Sequence, residues 1–138
     1  MKRIVLFLGL ALISLKAVAQ EETVTITVTI ENVLNDEGTV LVSLHTSDTF
    51  MKGGGIIDLA EKAKKGQVTL SFENVQPGTY AIMAMHDANN NKRMDYESNG
   101  MPKESYGMSR NDMAMGPPTF DAAKFVVTNE DISFNIRF

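Results

Sequence analysis

The chain has no cysteine among its 138 residues. That excludes a disulfide framework, a thiol nucleophile, a thiolate metal site and a lipid anchor on a cysteine at the cleavage point. Positive charge is also scarce, with 13 Lys+Arg against 17 Asp+Glu, a net −4. Three of those bases (Lys2, Arg3, Lys16) lie in the first twenty residues, where there is no acid, so the remainder stands at 10 against 17, or −7. An acidic chain of this kind is unsuited to coating nucleic acid or an anionic membrane. A membrane-spanning run is missing too. The longest apolar stretch, Ile4–Leu15, has twelve residues, short of the ~20 that cross a bilayer.

What is present at the start is an export signal. Met1–Ala19 reads MKRIVLFLGLALISLKAVA, with a basic beginning, the apolar run, and the small-residue pattern Ala17-Val18-Ala19 ahead of Gln20. This predicts a cleaved signal peptide over 1–19 and a secreted or periplasmic protein over 20–138 with no stable membrane insertion. A mature length of this size is enough for one domain and one core.

The mature chain reads as β-structure. Val24-Thr-Ile26-Thr-Val28-Thr-Ile30 alternates apolar and polar without a break, the pattern of a half-buried strand. Asn35–Gly38 is a turn and Thr39–Thr46 a second strand, together predicting an opening hairpin. Ile56–Lys65 (IIDLAEKAKK) is rich in helix formers and Gly66 follows as a stop, which predicts one short helix. Gln67–Phe72 and Thr79–His86 are further strands, and Lys124–Thr128 and Asp131–Phe138 close the chain. The 79–86 strand is apolar on both faces, with Tyr80, Ile82 and Ala84 on one and Ala81, Met83 and Met85 on the other. It therefore needs two covers. One is an opposing sheet; the other is the long stretch 96–123, which has apolar residues but no strand pattern. The expected fold is all-β: a small antiparallel β-sandwich, immunoglobulin- or prealbumin-like, with one long packed loop.

The densest chemical signal follows at His86–Asp95. Side-chain oxygens fall at Asp87, Asn89, Asn91 and Asp95, positions 1, 3, 5 and 9 of a loop. Calcium takes about six to eight hard oxygen ligands, and carboxylates and amides on alternate residues can wrap one ion. The backbone carbonyl of Arg93, at position 7, adds another donor, and Met94 suits an apolar anchor. Position 6 is Lys92 where such loops use glycine, and position 12 is Ser98 rather than a bidentate glutamate, with Glu97 and Glu104 as open substitutes. Weak binding of Ca2+, with a dissociation constant of about 10⁻⁴–10⁻³ M, is expected. The competing reading is a solvated turn, since Asn and Asp favour turns on their own.

These segments together resemble a known family. Phe72–Ile82 with its Gln76-Pro77-Gly78 turn, His86-Asp87-x-Asn89-x-Asn91-x-x-x-Asp95, Gly100-Met-Pro102-Lys103-Glu104-x-Tyr106-Gly107-x-Ser109 and Gly116-Pro117-Pro118-x-Phe120 follow in the order of domain-of-unknown-function family 2141. Its members are exported bacterial proteins of about this length. The family's loop usually reads HD-x-N-G-N-G-x-x-D, and here Asn90 and Lys92 replace both glycines. The resemblance implies export and a β-rich domain, and it assigns no activity.

Two other constellations compete. His86, with Asp87 or Glu104 as the carboxylate, Tyr106 nearby and Ser109 as nucleophile, would make a small periplasmic hydrolase. No G-x-S-x-G elbow surrounds Ser109, which argues against it. Met83-x-Met85-His86 and Met113-x-Met115 could offer thioethers to copper, but methionine commonly fills core gaps. The sequence thus favours a non-enzymatic binding or interaction module, with a protein or a glycan as its partner and no nucleic acid.

Overall fold

The computed structural model describes residues 21–111 and 116–138. The signal segment and the Met113/Met115 pair fall outside the described residues. Strand β1 (Val24–Val33) keeps the alternation read from its sequence, burying Val24, Ile26, Val28 and Ile30. Strands β2 (Thr39–His45), β3 (Ile57–Lys62), β4 (Gly66–Val75) and β5 (Gly78–Asp87) follow. Then come β6 (Tyr106–Met108), a short 3-10 turn at Ser109–Asn111, helix α1 (Phe120–Ala123), β7 (Phe125–Val127) and β8 (Ile132–Arg137).

The strands form two sheets, one ordered β4–β1–β8 and the other β3–β2–β5–β6, with β7 also on β5. On the outer face of the first sheet, the threonine hydroxyls of β1 meet Ser71 and Thr69 of β4 at 3.4 and 3.2 Å. The inner faces pack together. Ile26, Val28, Ile30, Phe72 and Ile136 meet Val40, Val42, Leu44, Ile82 and Ala84 in one buried cluster. Each large aliphatic side chain withdrawn from water contributes about 1.5–3 kcal/mol. This shared interior is what makes the molecule a β-sandwich.

Two expectations need correction. The β1 and β2 strands are not a hairpin. Both edges of β1 are taken, by β4 antiparallel and by β8 parallel, so the Asn35–Gly38 turn crosses from one sheet to the other. The 56–65 segment is not a helix. Ile57–Lys62 pairs with β2 from Leu44 to Thr39, and its half-buried Ile57 and Leu59 pack on the core. Satisfying that edge of β2 outweighs the helical preference of Ala, Glu and Lys, which is a few tenths of a kcal/mol per residue. The antiparallel sandwich itself stands, with one parallel pair, β1 with β8, among the described strands.

The 96–123 stretch does cover β5, as its two apolar faces require. Met108, Phe120 and Ala123 pack on Ala81 and Met83, joined by Phe50 from the turn after β2. Strands β6 and β7 pair with Met83–Met85 and Gly78–Tyr80, which leaves Ile82 between them. The gap is bridged by a side chain. Ser109 Oγ accepts the Ile82 N–H at 3.0 Å and donates to the Ala123 carbonyl. Strand β6 also runs so close to β8 that a β-carbon on Gly107 would collide with the Arg137 carbonyl oxygen.

Candidate metal centre

Asp87 ends β5, opposite Thr39 of β2, and only 1% of it is exposed. A carboxylate so deeply placed must be compensated. Its Oδ1 accepts the Asn91 N–H at 3.2 Å and its Oδ2 accepts the Lys92 N–H at 2.8 Å. The chain reaches these positions by passing through left-handed backbone twice, at Asn90 (φ 55°) and Lys92 (φ 60°). Asn90 is further held by Thr39, whose hydroxyl donates to its Oδ1 at 2.6 Å. Lys92 therefore makes the bend at position 6 for which calcium loops use glycine. The cost is about 1–2 kcal/mol for a residue with a β-carbon, offset by the two N–H groups delivered to Asp87.

Two successive Asx turns continue the curl. Asn89 Oδ1 accepts the Asn91 N–H at 3.2 Å, and Asn91 Oδ1 accepts the Arg93 N–H at 3.1 Å. The amide nitrogens then converge on Asp95. Asn89 Nδ2 lies 2.7 Å from Asp95 Oδ2, and Asn91 Nδ2 lies 2.9 and 2.7 Å from its two oxygens. The Arg93 side chain adds a loose pair at 3.9 Å. These contacts hold the Asp95 carboxyl below the ordinary carboxylate range, the Asn89 hydrogen bond first among them.

The structure thus brings together the Asn89, Asn91 and Asp95 side chains, while the Asp87 carboxylate is held by the backbone N–H groups of Asn91 and Lys92, with Arg93 at the turn between. Of the two glutamates that the sequence leaves open, Glu104 is the one beside the loop. Glu104 Oε2 accepts the Asp95 N–H at 2.7 Å, and Lys103 N–H donates to the Asp95 carbonyl at 2.8 Å. Glu104 is brought there by a small hairpin, bridged at Tyr96 and Pro102 and closed by Glu97 N–H to Met101 O at 2.7 Å. Glu97 and Ser98 belong to that hairpin. Only the hairpin's geometry distinguishes Glu104 from Glu97 as the carboxylate beside the loop.

Among the described residues, no three of His, Asp and Glu are grouped as a metal site by themselves. The donors available here are carboxylates with amide and backbone oxygens, a set that suits calcium or magnesium rather than zinc or copper. An asparagine amide exchanges its oxygen and nitrogen by a half-turn of its terminal torsion. The arrangement that now satisfies Asp95 with N–H groups can therefore present oxygens to a cation.

The hydrolase constellation is not assembled. His86 is buried, its Nε2 is 2.7 Å from the Glu37 carbonyl, and its ring stacks on Phe138. A carbonyl only accepts, so Nε2 carries the proton. Ser109 is fully buried, with its hydroxyl committed to Ile82 and Ala123. Tyr106 pairs with Met85 in the sheet. Of the methionines offered to copper, Met83 packs in the outer apolar cluster and Met85 lies opposite Tyr106.

No curated protein and no solved structure matches the chain. A family model does, over residues 28–135, which span β1 to β8 and include every residue of the loop and its return limb. The chain belongs to that family, described as uncharacterized protein conserved in bacteria (DUF2141).

Proposed function

We propose that the protein is an exported, non-enzymatic binding module whose Asp87–Asp95 loop holds one calcium ion. The observation that carries this reading is the bend at Lys92, which keeps φ at 60° against the preference of its side chain. That strain is tied to the two N–H groups that Asn91 and Lys92 deliver to the buried Asp87 carboxylate. The bend places the Asp87 carboxylate at the centre of a loop whose other oxygen-bearing residues face Asp95. The ion would relieve repulsion between Asp87 and Asp95 and pin the end of β5 to the return limb through Asp95 and Glu104. The absence of enzymatic activity is supported by His86 and Ser109, whose polar atoms are spent on backbone partners. Export is supported by the leader in the sequence.

At a calcium concentration equal to the dissociation constant, binding adds only about 0.4 kcal/mol of stability. The ion orders the loop more than it holds the fold. Calorimetric titration of the protein with calcium tests this, alongside Asp95→Ala, a variant that removes no buried group. Heat and a melting shift in the wild type that both vanish in Asp95→Ala are expected. A wild type that shows neither ends the proposal.

A further inference from the structure

Strands β7 and β8 follow one another in the chain but lie in different sheets. Among the described residues β7 pairs with β5 and β8 with β1, and no ladder joins the two. Asn111 closes part of this flank. Its side chain accepts the Arg137 N–H at 2.9 Å and donates to the Asn135 carbonyl at 2.7 Å, as a neighbouring strand would. Beside it the flank stays open as a groove of about 620 Å³, lined by Thr79, Arg110, Lys124, Phe125, Val126 and Phe134. Small-molecule sites occupy ~300–1,000 Å³ and are mostly apolar with a few polar groups. Here Phe125 and Phe134, their ring centroids 4.5 Å apart, supply an aromatic wall. Val126 is 65% exposed.

The charged part of the lining is all cationic. Arg110 and Lys124 line the groove and no described carboxylate does. Of the described acids nearest along the chain, Asp131 accepts the Thr25 N–H on the β1 side of β8 and Glu130 stands in the exposed turn before it. Asp121 pairs with Lys124 at 2.8 Å. Both partners are largely exposed, and such a surface pair is weak enough for another carboxylate to take the place of Asp121. Arg110 is held from both sides. Its backbone turns through the left-handed region at φ 70°. Ser109 before it is anchored to Ile82 and Ala123, and Asn111 after it to β8. Among the described residues its guanidinium has no ion pair. A guanidinium fixed at its base beside an apolar wall suits a carboxylate, which it can meet with two parallel hydrogen bonds.

We propose that this groove binds an amphipathic carboxylate, a small molecule with an alkyl or aryl body and one acidic head. The body lies on Phe125, Val126 and Phe134, and the head meets the Arg110 guanidinium with Lys124 alongside. An extended peptide would need the β8 edge for its main chain, and at Asn135 and Arg137 that edge is already taken by Asn111. The site is separate from the calcium loop. Thr79 and Asp87 stand near opposite ends of β5, about 26 Å apart along an extended strand, so neither reading depends on the other.

The test is titration of the protein with decanoate below its micellar concentration, followed by amide NMR shifts, with decanol and decyltrimethylammonium as the neutral and cationic counterparts. Saturable shifts confined to Thr79, Arg110, residues 124–126 and Phe134 are expected, the same in calcium and in chelator. Both counterparts should bind at least about tenfold more weakly, the loss of a charge-assisted hydrogen bond. Arg110→Gln and Val126→Asp, both at exposed positions, should each weaken decanoate about tenfold with the melting temperature kept, while Lys52→Gln leaves it unchanged. Decanol binding as tightly as decanoate overturns the proposal. So do shifts spread outside the groove, and so does undiminished binding by Arg110→Gln. Tighter binding of a short apolar peptide with blocked ends overturns it too and assigns the groove to peptides.

Discussion

Ser109→Ala removes one oxygen and orphans two backbone groups. Ser109 is fully buried, and its hydroxyl stands between the Ile82 N–H and the Ala123 carbonyl where β6 and β7 leave β5 unpaired. A buried donor or acceptor left without a partner costs about 1–3 kcal/mol. The side chain lost is too small for water to take its place without further opening of the cover. Two such groups give a loss of roughly 2–4 kcal/mol, allowing for partial relaxation. At about 4 °C per kcal/mol for a chain of this size, the melting temperature should fall by roughly 8–16 °C. Thermal and urea unfolding of both proteins measures it, with Ser71→Ala as the comparison. The Ser71 hydroxyl makes a 3.4 Å contact on the exposed face, and its loss should stay within about 0.5 kcal/mol. If Ser109→Ala melts within 2 °C of the wild type, the bridging role is refuted.

Other outcomes follow from the same structure. Gly107→Ala should destabilise by more than about 2 kcal/mol in urea unfolding, because its β-carbon would strike the Arg137 carbonyl and Ile136. Lys92→Gly should stabilise by about 0.5–1 kcal/mol, since glycine accepts φ 60° freely but loses more chain entropy on folding; it should also tighten calcium binding in calorimetry. Burial of the His45 ring, only partly countered by Thr49 and Asp58, pushes its pKa below 6.5. The folded state thus disfavours the imidazolium, and the stability from neutral His45, complete above pH 6.5, should decline as pH falls below it. His45→Gln should flatten that part of a pH–denaturation series. Asp95 adds a second decline at lower pH, because its carboxylate is favoured by folding and that gain is lost as it is protonated.

The parts legible in the sequence were those set by local pattern. The Val24–Ile30 alternation gave β1, the two-faced apolar run of 79–86 gave β5 and its need for a second cover, and the 1-3-5-9 oxygens gave the loop. What stayed hidden depends on partners distant in the chain. Ile57–Lys62 carries helix formers, and only the vacant edge of β2 makes it a strand. Nothing local to Ile132–Arg137 announces a parallel neighbour more than a hundred residues away. Glu104 reaches Asp95 because a hairpin folds back, and Ser109 acquires its role from a gap between two other strands. Residue type suggested a base and a nucleophile at His86 and Ser109, but in the fold the groups they hold are carbonyls and amides of the backbone.

The parallel pairing of β1 with β8 has a consequence for how the molecule comes into being. Thr25 near the start donates its N–H to Asp131 near the end, across 106 positions of chain. Strand β1 is synthesised about a hundred residues ahead of β8 and keeps one flank bare until β8 follows. Closure of this sandwich is a late event, slow by the measure of non-local contacts. During that interval an unfinished β1 presents its uncovered valines and isoleucines to whatever else is nearby.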